Sequence, residues 1–296
     1  MKALCRNSFT GSRNSLAVTG AISLLIAFAP VQKSLAQDDD NVEALLYSAA
    51  DTLGMLRTSR ELDRITTMIF TADGTGIIND RRCQMSRYRA EVRYPIPEQQ
   101  HTFPTPGMRV DFSCDRSGEG TERQIQVVAG TLAWNEAEPG LGAVPAPDAA
   151  RERLLQIWLL PQGLIKAAVA AGSQTVASID GMNPTLTFPL PAPLDDTRVT
   201  ITLDPEVFLT HTMPNGVRRD FSHRITHVET TFDGRDFEVN YADYQDWNPD
   251  DYKSDVLLPG RIVQSVDGTV TLDLTLRESN TYNPYVIMPV PESIAP

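Results

Sequence analysis

The chain has 296 residues, 26 Lys+Arg against 38 Asp+Glu, 22% charged and 41% hydrophobic residues, three cysteines, 18 glycines and 21 prolines. This ordinary globular composition excludes disorder, collagen and coiled coil. A formal net charge of −12 excludes a broad nucleic-acid footprint, which needs surplus Lys and Arg to replace the counterions on phosphates.

The first 36 residues read as an export signal. Lys2, Arg6 and Arg13 form a basic start, Leu16 to Val31 is an apolar stretch, and Ser34-Leu35-Ala36 is a small-x-small cleavage site. The apolar run is shorter than the ~20 residues that span a bilayer and contains Pro30. Cleavage after Ala36 is expected to leave residues 37–296 as one periplasmic or secreted domain with no membrane anchor. It also removes Cys5, so Cys83 and Cys114 form the only remaining pair, with a disulfide as the default reading and free buried thiols as the alternative.

In chain order, Asp40-x-x-Glu43 resembles a capping box, and Val42, Leu45, Leu46, Ala49, Leu53 and Leu56 recur at helical spacing, which predicts a helix over 41–56. Alternating runs follow at Ile65 to Phe70, Arg82 to Tyr94, Met108 to Cys114 and Arg123 to Ala129, with Asp73-Gly74 and Ser117-Gly118 as turn signals. A hairpin folding near Glu98 would set the two cysteines opposite each other. Cys83, however, shares its strand parity with Met85 but also with Arg87 and Arg89, a mismatch that a bulge would resolve by shifting the register. The five arginines at 81, 82, 87, 89 and 93 read either as an anion site or as partners of acidic neighbours across the sheet.

Beyond the Pro/Gly-rich stretch Pro139 to Pro147, Asp148 is expected to cap a helix carrying Leu154, Leu155 and Trp158. Pro161 ends that helix and starts a second, Gln162 to Ala171, with Leu164, Ile165 and Ala168 on its face and Gly172 at C′. This places a helical insert at about 148–172. Strands are expected at Thr185 to Leu190, Arg198 to Leu203, Val207 to Met213, Ile225 to Phe232, Phe237 to Tyr241 and Val270 to Leu276. The tail Tyr282 to Pro296 is expected to lie extended along the body.

Signatures of catalysis and nucleotide binding are missing: no G-x-S-x-G, H-E-x-x-H, P-loop, G-x-G-x-x-G or C-x-x-C occurs. No catalytic residue and no cofactor is assigned. His223, His227 and Glu229 would share one face of a strand and are weak candidates for zinc, the basis of an alternative reading as a secreted metal-dependent hydrolase. Asp246-x-Asn248-x-Asp250 copies the opening of a calcium loop, but Asp251 and Leu257 stand where that loop needs glycine and glutamate. Trp134, Trp158 and Trp247 read as packing residues.

The order of elements, with the strand-turn-strand Gln126-Val-Val-Ala-Gly-Thr-Leu-Ala-Trp-Asn135 ahead of the helical insert, resembles the periplasmic outer-membrane lipoprotein carriers, the lipoprotein localisation factor superfamily. In that family a DGxxLW hairpin precedes the helices, and Val127 to Trp134 is similar to it with Ala129 in place of the acidic residue. Phe237 to Asp246, Leu258-Pro-Gly-Arg-Ile262 and Val270 to Leu276 are similar to the family's late strands and P-x-R-I turn. The resemblance implies an α+β fold, a strongly curved antiparallel sheet or incomplete β-barrel whose concave face is covered by helices. Its cavity would hold a lipid, an acyl chain or a lipidated protein. Leu154, Leu155, Trp158, Leu164 and Ile165 would form the cover, with Val110, Phe112, Val127, Trp134, Leu272 and Leu274 lining or supporting the cavity. A structural module of a cell-envelope complex is the remaining alternative.

Overall fold

A computed structural model describes residues 33–56, 65–95, 105–118, 120–212, 216–247, 256–281 and 284–295. Helix α1 (Lys33–Thr52) starts before the expected capping box and runs through it, so Asp40 lies inside the helix. It ends in a Schellman turn: Gly54 is left-handed (φ 64°), the Met55 amide donates to the Ala50 carbonyl at 2.9 Å, and the Gly54 amide to Asp51 at 3.0 Å.

Six strands then form a meander, β1 (Thr67–Ile78), β2 (Arg81–Arg93), β3 (Gly107–Arg116), β4 (Gly120–Ala129), β5 (Leu132–Glu136) and the short β6 (Val144–Pro145). Asp73-Gly74 is no turn. Strand β1 runs straight through it, and the hairpin instead closes at Asn79 and Asp80, both with positive φ. Gly74 is needed for close approach, since a Cβ there would sit 1.9 Å from the Asp273 carbonyl oxygen.

A short 3₁₀ turn (Pro147–Ala149) leads to α2 (Ala150–Trp158). Its N-cap is Ala149 without a side-chain bond, so Asp148 does not cap it. Pro161 opens α3 (Pro161–Ala171), which leaves α2 at an angle of 92°. Gly163 permits that joint: a Cβ there would be 2.3 Å from the Ile157 carbonyl oxygen. Gly172, at φ 54°, terminates α3.

The second strand series comprises β7 (Val176–Asp180), β8 (Asn183–Pro189), β9 (Arg198–Asp204), the ribbon β10 (Leu209–Thr212) with β11 (Arg218–Phe221), β12 (Arg224–Phe232), β13 (Arg235–Ala242), the pair β14 (Gln245–Asp246) with β15 (Leu257–Leu258), β16 (Arg261–Val266) and β17 (Thr269–Asn280). Thirteen strands join in one antiparallel sheet, ordered β6-β5-β4-β3-β2-β1-β17-β16-β13-β12-β9-β8-β7. The sheet is not closed into a barrel. The helices carry the chain from one edge of it to the other, and the two meanders meet where β1 pairs with β17.

The helices bury their apolar stripes against one face of the sheet. The core there gathers Met68, Phe70, Val92, Leu154, Leu155, Trp158, Leu164, Ile165, Phe188, Ile201 and Leu274 among others. A smaller core on the other face packs Ile125, Val127, Ala129 and Trp134 against Val286 and Met288. Among the described residues no single helix is long and apolar enough to cross a membrane.

Cys83 and Cys114 are disulfide-bonded with their Cα atoms 5.4 Å apart. The required bulge is present: pairing shifts between Met85 and Arg87, which puts Cys114 opposite Met85 and leaves Cys83 as its diagonal neighbour. The inward positions of β2 change from Cys83 and Met85 to Tyr88, Ala90 and Val92 across Ser86, turning Arg87 outward. The hairpin tip near Glu98 and the calcium-like Asn248 and Asp250 lie outside the described residues.

Candidate cavity between helix α2 and the sheet

A cavity of about 650 Å³ lies between α2 and the helix-facing side of the sheet. Both meanders contribute to it: Phe70 of β1, Met85 and Tyr88 of β2, Met108, Val110 and Phe112 of β3, Gln126 and Val128 of β4, Val239 of β13, Ile262 and Gln264 of β16, and Thr271, Leu272 and Leu274 of β17. Period-2 alternation explains this set. The register pairs Val110 with Ala90 and Gln126, Phe112 with Tyr88, and Met108 with Val128, so these side chains share one face. Phe70, Tyr88 and Phe112 form an aromatic row across three strands, with ring centroids 6.1 and 6.4 Å apart. Burial raises the Tyr88 phenol above its ordinary pKa, so the row stays uncharged at neutral pH.

The acidic residues mark the cavity's mouth. Asp80 and Asp267 sit in exposed hairpin turns, and Glu152 of α2 reaches across to Arg235 of β13 at 2.7 Å. Helix α2 presents Glu152, Arg153 and Gln156 to the cavity, a stripe at i, i+1 and i+4 that Leu159 and Leu160 continue just past its end. Arg153 donates through Nη1 to the carbonyls of Val127 (3.1 Å) and Trp134 (2.7 Å), and through Nη2 to Asn135 Oδ1 (2.6 Å). Burial lowers its pKa to about 10, which leaves the guanidinium charged at neutral pH.

The residues expected to line or cover the cavity therefore separate into three groups. Val110 and Phe112 line it, as do Leu272 and Leu274. Leu154, Leu155, Trp158, Leu164 and Ile165 are buried in the core beside it, because the apolar stripe of α2 turns toward α3 and the sheet while the neighbouring stripe faces the cavity. Trp158 packs near Tyr94, centroids 6.4 Å apart, and its Nε1 has no hydrogen-bond partner among the described residues. Val127 and Trp134 are a correction: they pair with each other across β4 and β5 on the opposite face, where Trp134 is fully buried and donates to Glu136 at 2.9 Å. Their inward neighbours are Val128 and Ala133.

Sequence reading missed Arg153, Phe70, Tyr88 and Met108. For the three apolar residues the signal was the alternation of β1 to β3 taken together with the strand pairing.

The expected zinc face does not form. Strand β12 begins at Arg224, His223 precedes it with φ 60°, and pairing with β9 shifts between Ile225 and His227, so His223 and His227 do not share a face by simple alternation. His223 Nδ1 lies 2.9 Å from both Ser48 Oγ and Ser222 Oγ, fastening α1 to the start of β12, and burial lowers its pKa against the pull of Asp204. His227 lies between Asn240 Oδ1 and Glu229 Oε1, each at 2.9 Å. Among the described residues no group of three His, Cys, Asp or Glu side chains is placed to hold a metal ion. In the arginine strand, Arg87 pairs with Asp111 across the sheet at 3.7 Å, as expected, whereas Arg89 pairs with Glu91 of its own strand at 3.1 Å.

No protein-family model matches this chain, and no curated protein matches it in sequence.

Proposed function

We propose that the protein is an exported carrier or binding protein that holds a lipid, an acyl chain or the acyl group of a lipidated protein away from water. The observation that carries this reading is the cavity of about 650 Å³ between a largely apolar sheet face and one helix, with its acidic residues exposed at the mouth. Its size falls within the ~300–1,000 Å³ of small-molecule pockets. Lining residues come from strands β1 to β4 and from β13, β16 and β17 of one sheet, an arrangement suited to an incomplete barrel wrapped around its contents. The resemblance to lipoprotein carriers and the reading of residues 1–36 as an export signal support the same conclusion. A chain of ~14 methylenes leaving water gains roughly 11 kcal/mol gross, enough to exceed the ordering cost at the low end of its range.

Native mass spectrometry of protein purified from the cell envelope fraction tests the reading. Co-purifying lipid mass is expected, and Val110→Trp, which fills the cavity from β3, is expected to abolish it while leaving the folded protein intact. Protein that carries no lipid and takes up none from vesicles would refute the reading.

A further inference from the structure

Among the described residues, Arg153 and Arg235 are the only cations lining the cavity, and they differ in their partners. Arg235 is paired with Glu152 at 2.7 Å. Arg153 meets only neutral acceptors, two main-chain carbonyls and the Asn135 amide oxygen, and its Nε–H has no acceptor among the described residues. The Arg153 guanidinium is half-buried, and burial lowers its pKa against the opposing pull of the neighbouring Glu152 carboxylate, which makes no hydrogen bond to it. Three residues along α2, half-buried Gln156 lines the same cavity and adds an amide donor. The wall on the other side is apolar, with Phe70, Tyr88 and Phe112 in a row. The cavity thus has a cationic, donor-rich pole and an apolar slot.

We infer that Arg153 and Gln156 form a head-group subsite for an anion, so that the ligand is a single-chain amphiphile ending in a carboxylate or a phosphate monoester. This rests on the carrier reading and narrows it, because the diacylglyceryl group of a lipidated protein has no anion to offer Arg153. A carboxylate or phosphate accepts from Nε and Nη2 together, the paired geometry guanidinium groups favour. It neutralises the half-buried cation, while its chain lies along the aromatic row.

The test is displacement of the uncharged fluorophore N-phenyl-1-naphthylamine from the purified protein by four ligands of equal chain length: palmitate, hexadecyl phosphate, methyl palmitate and hexadecanol, each below its micellar threshold. The anions are expected to bind roughly tenfold or more tightly than the neutral ligands. Whether palmitate or hexadecyl phosphate binds better identifies the head. Arg153→Gln, which keeps a side-chain donor, is expected to bring the anions down to the level of the neutral ligands and leave the neutral ligands unchanged. Equal affinity of all four for the wild-type protein overturns the inference and leaves the carrier reading standing, as does a preference that survives Arg153→Gln. Binding of none of the four overturns both. Should Arg153→Gln not fold, Arg235→Gln decides: the preference persists if Arg153 holds the head and disappears if Arg235 does.

Discussion

Arg109→Met removes the guanidinium that secures the outer face of the sheet, which pairs with Glu136 and, through Nη1, with Glu91 at 3.3 Å. The Glu136 side chain is 1% exposed and accepts four hydrogen bonds: from Arg109 Nε at 3.0 Å, Arg109 Nη2 at 3.2 Å, Trp134 Nε1 at 2.9 Å and the Gly140 amide at 2.8 Å. Burial pushes its pKa up, yet Arg109, the Gly140 amide and Trp134 outweigh burial and hold the carboxyl below its ordinary value. Removing one member of a buried pair costs ~3–5 kcal/mol. Two of the four donors survive the substitution, which puts the loss at the lower end, about 3 kcal/mol. With a urea slope of about 3 kcal/mol per molar, the unfolding midpoint falls by about 1 M. Urea titration of the oxidised protein followed by circular dichroism measures this. Adding Glu136→Gln removes the stranded charge, keeps an acceptor for Trp134 and Gly140, and is expected to recover at least half of the loss. A single-variant shift under about 0.3 M, or no recovery in the double variant, would refute the electrostatic account.

Three further outcomes are expected. Cys83→Ser opens a loop of sequence separation 31 and should lower stability by about 3 to 4 kcal/mol, with the same loss seen when reductant is added to the wild-type protein. Gly74→Ala drives a methyl group into the Asp273 carbonyl and should cost about 2 to 3 kcal/mol and speed amide exchange along β1 and β17, whereas Gly76→Ala meets only the movable end of Met85 and should cost less. Asp111, held low chiefly by Arg123, and Glu136 both have folded pKa values below their unfolded ones. Their contribution is therefore present above the unfolded values of ~3.9 and ~4.3 and is lost as pH falls through the folded ones, so the urea midpoint should hold from pH 7 to about 5 and decline below about 4; an unchanged midpoint at pH 3 would contradict this.

Much of the fold could be read from the sequence because most strands bury one face. Val270 to Leu276 and Arg82 to Tyr94 alternate clearly, and both form strands at those positions. The Pro161 break and the Gly172 stop follow from local stereochemistry alone. Reading by alternation fails where both faces are buried. Ile125, Val127, Val128 and Ala129 are all sequestered, so nothing in β4 distinguishes the cavity side from the tail side, and Val127 and Trp134 take the wrong side with equal local logic. Asp73-Gly74 looks like a turn, but the close approach of β17, which no local pattern reveals, is what requires glycine there. Arg153 stayed hidden for the opposite reason: beside Leu154 and Leu155 a lone arginine reads as solvated, and only the placement of α2 over β4 and β5 shows what surrounds it.

The pairing of β1 with β17 sets Ile69 beside Asn280 at the middle of the sheet. A nascent chain can assemble the first meander early, but the seam cannot zip until the final strand has been synthesised, and closing so long a span is slow. The cavity straddles that seam, with Phe70 on one bank and Leu274 on the other. A chain cut before β17 would therefore lose the cavity's wall at Thr271, Leu272 and Leu274 together with the central seam.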